Sequence, residues 1–251
     1  MSKLTDLDYW KSSQGEPSIN LEENNVIREW LNGNLNFNDL ETCFEVGCFP
    51  GRYLSIFADH GIEVNGIDYL PAVRRIPELF ALHGKKTGDF FCEDFLLFET
   101  DKKFDCVYSL GFIEHFANWG EVLEKHFDLV REGGIIIVEV PNFRGWMQRL
   151  PRTLFDKESL ARHNLDSMVI ESLTKILIKN SFEVLRADYI GGYMLWFEKE
   201  GGNIWQMFRA VLLRILRLIK FFVYPGIGNH SSFSGALGVI ARRRGVESGA
   251  S

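Results

Sequence analysis

The chain has 251 residues, 46% of them hydrophobic and 25% charged, and a net charge of −6. At roughly 100–200 residues per domain, that allows one large domain or one domain with an appendage. The apolar fraction and 21 Phe exclude a disordered chain and remove any need for disulfide or metal staples, and the acidic balance excludes a general nucleic-acid binder.

Residues 1–18 are polar and turn-rich, and the opening MSKLTDLDYW lacks the apolar stretch of a signal peptide. A first helix is predicted from Asn20 as N-cap, with Ile19 before it and Glu23 in the capping-box position. Val26, Ile27, Trp30 and Leu31 recur at helical spacing, and Asn32-Gly33 ends the helix. Strands are then predicted at Thr42–Val46, Glu63–Ile67, Phe90-Phe91, Phe104–Ser109 and Ile135–Val140. Helices alternate with them at Gly51–His60, Ala72–Leu82 (weakened by Pro77) and Trp119–Arg131. The near-continuous apolar run IIIVEV fits a strand covered on both faces. Such alternation implies a parallel sheet with helices on both sides. Residues 142–164 form a connection containing Arg144, Arg149, Arg152 and Arg162, which could grip an anionic acceptor. A helix at Asp166–Lys179, a strand at Phe182–Tyr189 and a last strand at Ala236–Ala241 complete the series.

The C-terminal quarter differs in charge. Between Gly201 and Val246 there are seven basic residues and no acidic one, while residues 1–200 hold 21 basic and 33 acidic groups, a net of −12. Residues 204–223 read as a helix whose Gln206, Arg209, Arg214, Arg217 and Lys220 fall in one sector of about 140°. That pattern suits either packing on the protein or peripheral contact with a membrane surface. Its charges argue against a transmembrane span. The cysteines at 43, 48, 92 and 106 form no CxxC pair and no His clusters with them, so reduced thiols in a cytoplasmic protein, and no metal, are expected.

Four segments carry chemistry. Glu45-Val46-Gly47-Cys48-Phe49-Pro50-Gly51-Arg52 runs from a strand through a glycine loop into a helix, so a ligand can approach the backbone. Its GxxxG spacing is not the dinucleotide GxGxxG. Asp68, followed by Tyr69, ends the second strand, where doubly wound sheets place a carboxylate on ribose hydroxyls. Asp94-Phe95 follows the third strand and could meet an adenine. Ser109, Gly111, Glu114 and His115 follow the fourth at the sheet's carboxyl edge, where His115 is a candidate general base.

In this order the segments resemble the class I S-adenosylmethionine (SAM)-dependent methyltransferases, over residues 41–191 and a last strand near 236–243. The resemblance implies a Rossmann-like α/β fold: a seven-stranded, mostly parallel sheet with an antiparallel last strand and helices on both faces. The chain would then be one domain: residues 1–40 as an N-terminal helix and lid including Tyr9 and Trp10, 41–191 as the core, 200–228 as an amphipathic insertion, 232–244 as the last strand, and 245–251 as a disordered tail. It implies SAM as cofactor, held by Glu45, Gly47, Cys48, Gly51, Arg52, Asp68, Tyr69, Asp94, Phe95, Ser109 and Gly111, with His115 or Glu114 as catalytic base. The expected reaction is O-methylation of a small-molecule or lipid-linked acceptor, such as a sugar in bacterial surface-glycan biosynthesis. No nucleic-acid partner is expected, because no Asn-Pro-Pro-Tyr segment ends the fourth strand. A degenerate SAM-binding or partner-binding protein of the same fold is the alternative.

Overall fold

The computed structural model describes residues 3–5, 10, 15–192, 211, 214, 215, 218 and 228–245. Seven strands form one sheet: β1 (Thr42–Val46), β2 (Glu63–Asp68), β3 (Thr87–Cys92), β4 (Phe104–Leu110), β5 (Val130–Pro141), β6 (Phe182–Ile190) and β7 (Ala236–Arg243). Their order is β3-β2-β1-β4-β5-β7-β6. The first five are parallel, and β7 lies antiparallel between β5 and β6.

Strand alternation divides the core into two layers. Cys43, Tyr108, Ile135, Ile137 and Ile240 face one layer, with α1 (Val26–Asn34), α2 (Leu54–Asp59) and α3 (Ile76–Leu82). Phe44, Val107, Ile136, Val138 and Val239 face the other, with α4 (Trp119–Phe127) and α7 (Ile170–Lys179). Trp30 of α1 packs on β7, and its indole N–H donates to Asp188 at 2.9 Å. A Cβ on Gly238 would lie 2.6 Å from the Trp30 ring and 2.9 Å from Ile190. Gly238→Ala is therefore expected to cost about 1–3 kcal/mol by overpacking. Denaturant unfolding measures it, and a change within error would mean that Trp30 yields without cost.

Several predicted boundaries shift for local reasons. Helix α1 starts at Val26, not near Asn20, because the Asn25 side chain caps it by accepting from the N–H groups of Ile27 and Arg28. Gly51 has φ +103°, which a helix cannot contain, so α2 begins three residues later. Pro77 does not kink a helix: a 3₁₀ turn at Pro71–Arg75 precedes α3, and Pro77 falls in its first turn, where no N–H is needed. Helix α4 stops at Phe127, and β5 begins at Val130. The connection after β5 is partly helical, with α5 (Trp146–Phe155) and α6 (Lys157–Ala161). Helix α7 begins at Ile170 after a 3₁₀ turn at Leu165–Ser167. Most of the predicted 204–223 helix, Tyr9 and residues 246–251 lie outside the described residues. Within that helix, Val211, Ile215 and Leu218 are helical and exposed.

Candidate active site at the carboxyl edge of the sheet

The strand order reverses between β1 and β4, and open α/β sheets bind ligands at that crevice. A cavity of about 650 Å³ lies there. Glu45, Gly47, Cys48, Gly51, Arg52, Asp68, Tyr69, Asp94, Phe95, Gly111, Glu114 and His115 all line it. Ser109 does not. It is fully buried on the strand face opposite Tyr108, because neighbours on a strand point to opposite sides, and its Oγ has no hydrogen-bond partner. The four arginines of residues 142–164 do not line the cavity either. Arg152 is buried with its guanidinium 3.8 Å above the Phe143 ring, and Arg144 pairs with Asp166 at 3.6 Å.

The glycine loop is held from below. The N–H groups of Gly47 and Cys48 both donate to the Ile67 carbonyl, at 2.9 and 3.1 Å. Gly47 has φ +77°, and a Cβ there would sit 2.7 Å from the Phe112 ring. Asp68 accepts from the N–H of Phe49 at 3.0 Å on one oxygen and from that of Leu70 at 2.8 Å on the other. It thus fixes the loop end, and each oxygen keeps a lone pair for a ligand. Asp94 accepts from the Leu96 N–H at 3.1 Å and pairs with Lys3 at 2.6 Å. Phe95 is buried, edge-on to Phe112 at 5.8 Å. Part of the N-terminal segment lies along the cavity: Leu4 N–H donates to the His115 carbonyl, and Trp10 stands edge-on to the His115 ring at 4.9 Å.

The cavity is rich in buried carboxyls. Burial pushes Glu45 well above the ordinary carboxylate range, against a hydrogen bond from Tyr108 at 3.3 Å. Burial likewise raises Glu114, and it brings Glu139 up to about 8. His115 is driven down to about 3 by burial and then by the neighbouring His163, so its ring is neutral near pH 7 rather than poised there. Sequence reasoning missed Glu139 and His163. Glu139 was legible as the single charge inside IIIVEV, opposite Leu110 on β4. His163 carried no periodic signal. It reaches the site because Asn164, the next residue, donates from its backbone N–H to the Glu114 carbonyl and from its side chain to the carbonyls of Phe116 and Ala117.

Sequence comparison matches residues 21–187 to the methyltransferase domain family. Two ubiquinone biosynthesis O-methyltransferases are similar. That of Bradyrhizobium sp. is 26% identical over 41% of this chain and 40% of the relative. That of Rickettsia prowazekii is 26% identical over 53% and 54%. The chain thus spans about half the length of these curated relatives. Among solved structures, N-methyltransferase NodS of Bradyrhizobium japonicum, in complex with S-adenosylhomocysteine, superposes with a TM-score of 0.54 at 14% identity, over 96% of this chain and 94% of that one. The chain belongs to the methyltransferase domain family, with the class I, SAM-dependent fold.

Proposed function

We propose that the chain transfers a methyl group from SAM to a hydroxyl oxygen of a small-molecule acceptor. The observation that carries this reading is one cavity lined by two chemically distinct sets of residues. We assign Gly47, Asp68 and Asp94 to a cofactor end and Glu114 and His115 to an acceptor end. The cavity also suits the cofactor by charge, because the sulfonium and ammonium of SAM favour the ionised form of the buried carboxyls that line it. When bound, SAM supplies an activated methyl on sulfur.

The chain's own residues supply alignment, dryness and proton removal. Gly47 admits a ligand close to the backbone. Asp68 offers its remaining lone pairs to ribose hydroxyls, and Asp94 can accept from an adenine amino group once Lys3 shares it. Phe112, Phe116, Trp10 and Pro141 add apolar walls to the cavity. His115 is neutral, so its ring can accept the hydroxyl proton, whereas Glu114 can do so only once ionised, because burial favours its protonated form. The O-methyltransferase names of the two curated relatives support oxygen as the methylated atom.

The test is transfer of labelled methyl from SAM to a panel of phenols, sugars and lipid-linked alcohols. His115→Ala is expected to leave SAM binding nearly intact and to slow transfer by about 10²–10⁴-fold. Full activity in that variant, or label found only on nitrogen, would reject the reading. Asp68→Ala is expected to weaken SAM binding by about 1.5–3 kcal/mol. An unchanged dissociation constant would remove Asp68 from the cofactor site.

A peripheral membrane contact is also proposed, with an anionic bilayer as the surface. No helix among the described residues is long and apolar enough to cross a membrane. Trp146, Leu150 and Leu154 form an exposed stripe on α5, and Val211, Ile215 and Leu218 are likewise exposed, within the acid-free stretch 201–246. Co-sedimentation with anionic vesicles, lost in Trp146→Glu, is the expected result. Equal recovery with neutral vesicles would reject the electrostatic part.

A further inference from the structure

We propose that Glu114, His115 and His163 bind one divalent transition-metal ion at the acceptor end of the cavity. A carboxylate oxygen and one ring nitrogen from each histidine all lie within 4.8 Å of one another. Glu114 Oε1 is 3.8 Å from His115 Nε2. Ligand atoms on an ion with bonds of about 2.0–2.2 Å stand about 3–3.5 Å apart, so a small side-chain adjustment closes the set. The three side chains are nine-tenths or more buried.

Two further observations aim these groups at a cation. The first is the tautomer of each ring. His115 Nδ1 is 3.1 Å from the Arg162 carbonyl, and His163 Nδ1 is 2.5 Å from the Ser159 carbonyl. A carbonyl only accepts, so each Nδ1 carries a proton, and a ring without a second proton bears its lone pair on Nε2. Backbone carbonyls that fix the ligand tautomer in this way are the usual outer support of a metal-bound histidine. The second is Glu114 Oε2, which is buried without a hydrogen-bond partner. A buried carboxylate oxygen left so is costly, and a cation would satisfy it. Two imidazoles and one carboxylate suit zinc, manganese or iron, whereas magnesium and calcium favour all-oxygen shells.

Such an ion, with three protein ligands, keeps open positions for an acceptor oxygen. This role rests on the O-methylation reading, and it recasts Glu114 and His115 as ligands rather than direct proton acceptors. A hydroxyl that binds the ion becomes more acidic. Its O–H bond breaks, the electron pair stays on the oxygen, and the proton passes to water.

Titration of the full chain with Mn²⁺, followed by electron paramagnetic resonance, tests the site. The expected result is one ion per chain, with hyperfine couplings from two histidine nitrogens. His163→Ala should leave one coupling. Glu114→Gln, nearly isosteric, should weaken binding about tenfold or more and covers the case in which His163→Ala fails to fold. Dialysis against Zn²⁺ in a Cys92→Ser background should also give one ion per chain. No binding of either ion at millimolar concentration, or binding unchanged in both variants, would overturn the site. Hydroxyl methylation that persists in chelator-treated protein would overturn the activating role. An ion bound as described in a protein that methylates no hydroxyl would overturn the O-methylation reading and support the site.

Discussion

Alanine at position 47 is expected to raise the dissociation constant for SAM by about thirtyfold or more. Gly47 has φ +77°, and the left-handed backbone costs a residue with a Cβ about 1–2 kcal/mol. The added carbon would also stand 2.7 Å from the Phe112 ring. The loop cannot retreat, because Gly47 and Cys48 both donate to the Ile67 carbonyl. Phe112 is half-buried and lines the cavity, so the ring gives way into the space where the ligand belongs. Overpacking of this kind adds about 1–3 kcal/mol. Calorimetry on Gly47→Ala and on the double variant with Phe112→Ala forms a cycle in which the second change should recover part of the loss. Wild-type affinity in the single variant would show that the loop is not part of the binding surface.

Affinity for SAM is also expected to rise with pH, by up to about tenfold per unit between pH 6 and 8 for each carboxyl that must ionise. Glu139 is the group to follow, because burial brings it to about 8 from an ordinary 4.5. In the ligand-free fold it holds a proton that the unfolded chain has released. Its contribution to stability is therefore full below about pH 4.5 and declines as pH rises toward 8. A cationic ligand favours the ionised form, so binding expels the proton, and affinity levels off above pH 8. The melting temperature without ligand should fall across this window while the shift produced by SAM grows. Calorimetry in buffers of different ionisation enthalpy counts the protons directly. A pH-independent dissociation constant would mean that Glu139 stays protonated beside the ligand or does not face it.

The sheet was legible because most buried strands read as short apolar runs, β1, β2 and β4 closed by Gly47, Asp68 and Ser109. Part of the cavity lining was legible for the same reason: Glu45, Gly47, Asp68 and Asp94 sit at or just past strand ends, where position and residue type coincide. Other lining residues were less so. Glu139 hides in an apolar strand, and His163 reaches the cavity through a staple made by Asn164 across 48 residues. Nothing local in a sequence marks a contact of that kind. Ser109 was misplaced because a strand end exposes every second side chain, and the next residue along faces the other way. Helix starts slipped where a capping side chain or a positive φ, rather than periodicity, sets the boundary.

The position of β7 bears on how the protein is made. It follows every other described strand in the chain, yet it pairs with both β5 and β6. A nascent chain emerging from the ribosome can assemble β1 to β5, and with them Gly47, Asp68 and Asp94, before β7 exists. Gly235 and Ala236, which line the cavity beside β7, arrive last. Most of the cavity lining can thus form during synthesis, and the cavity is completed only when β7 slots in.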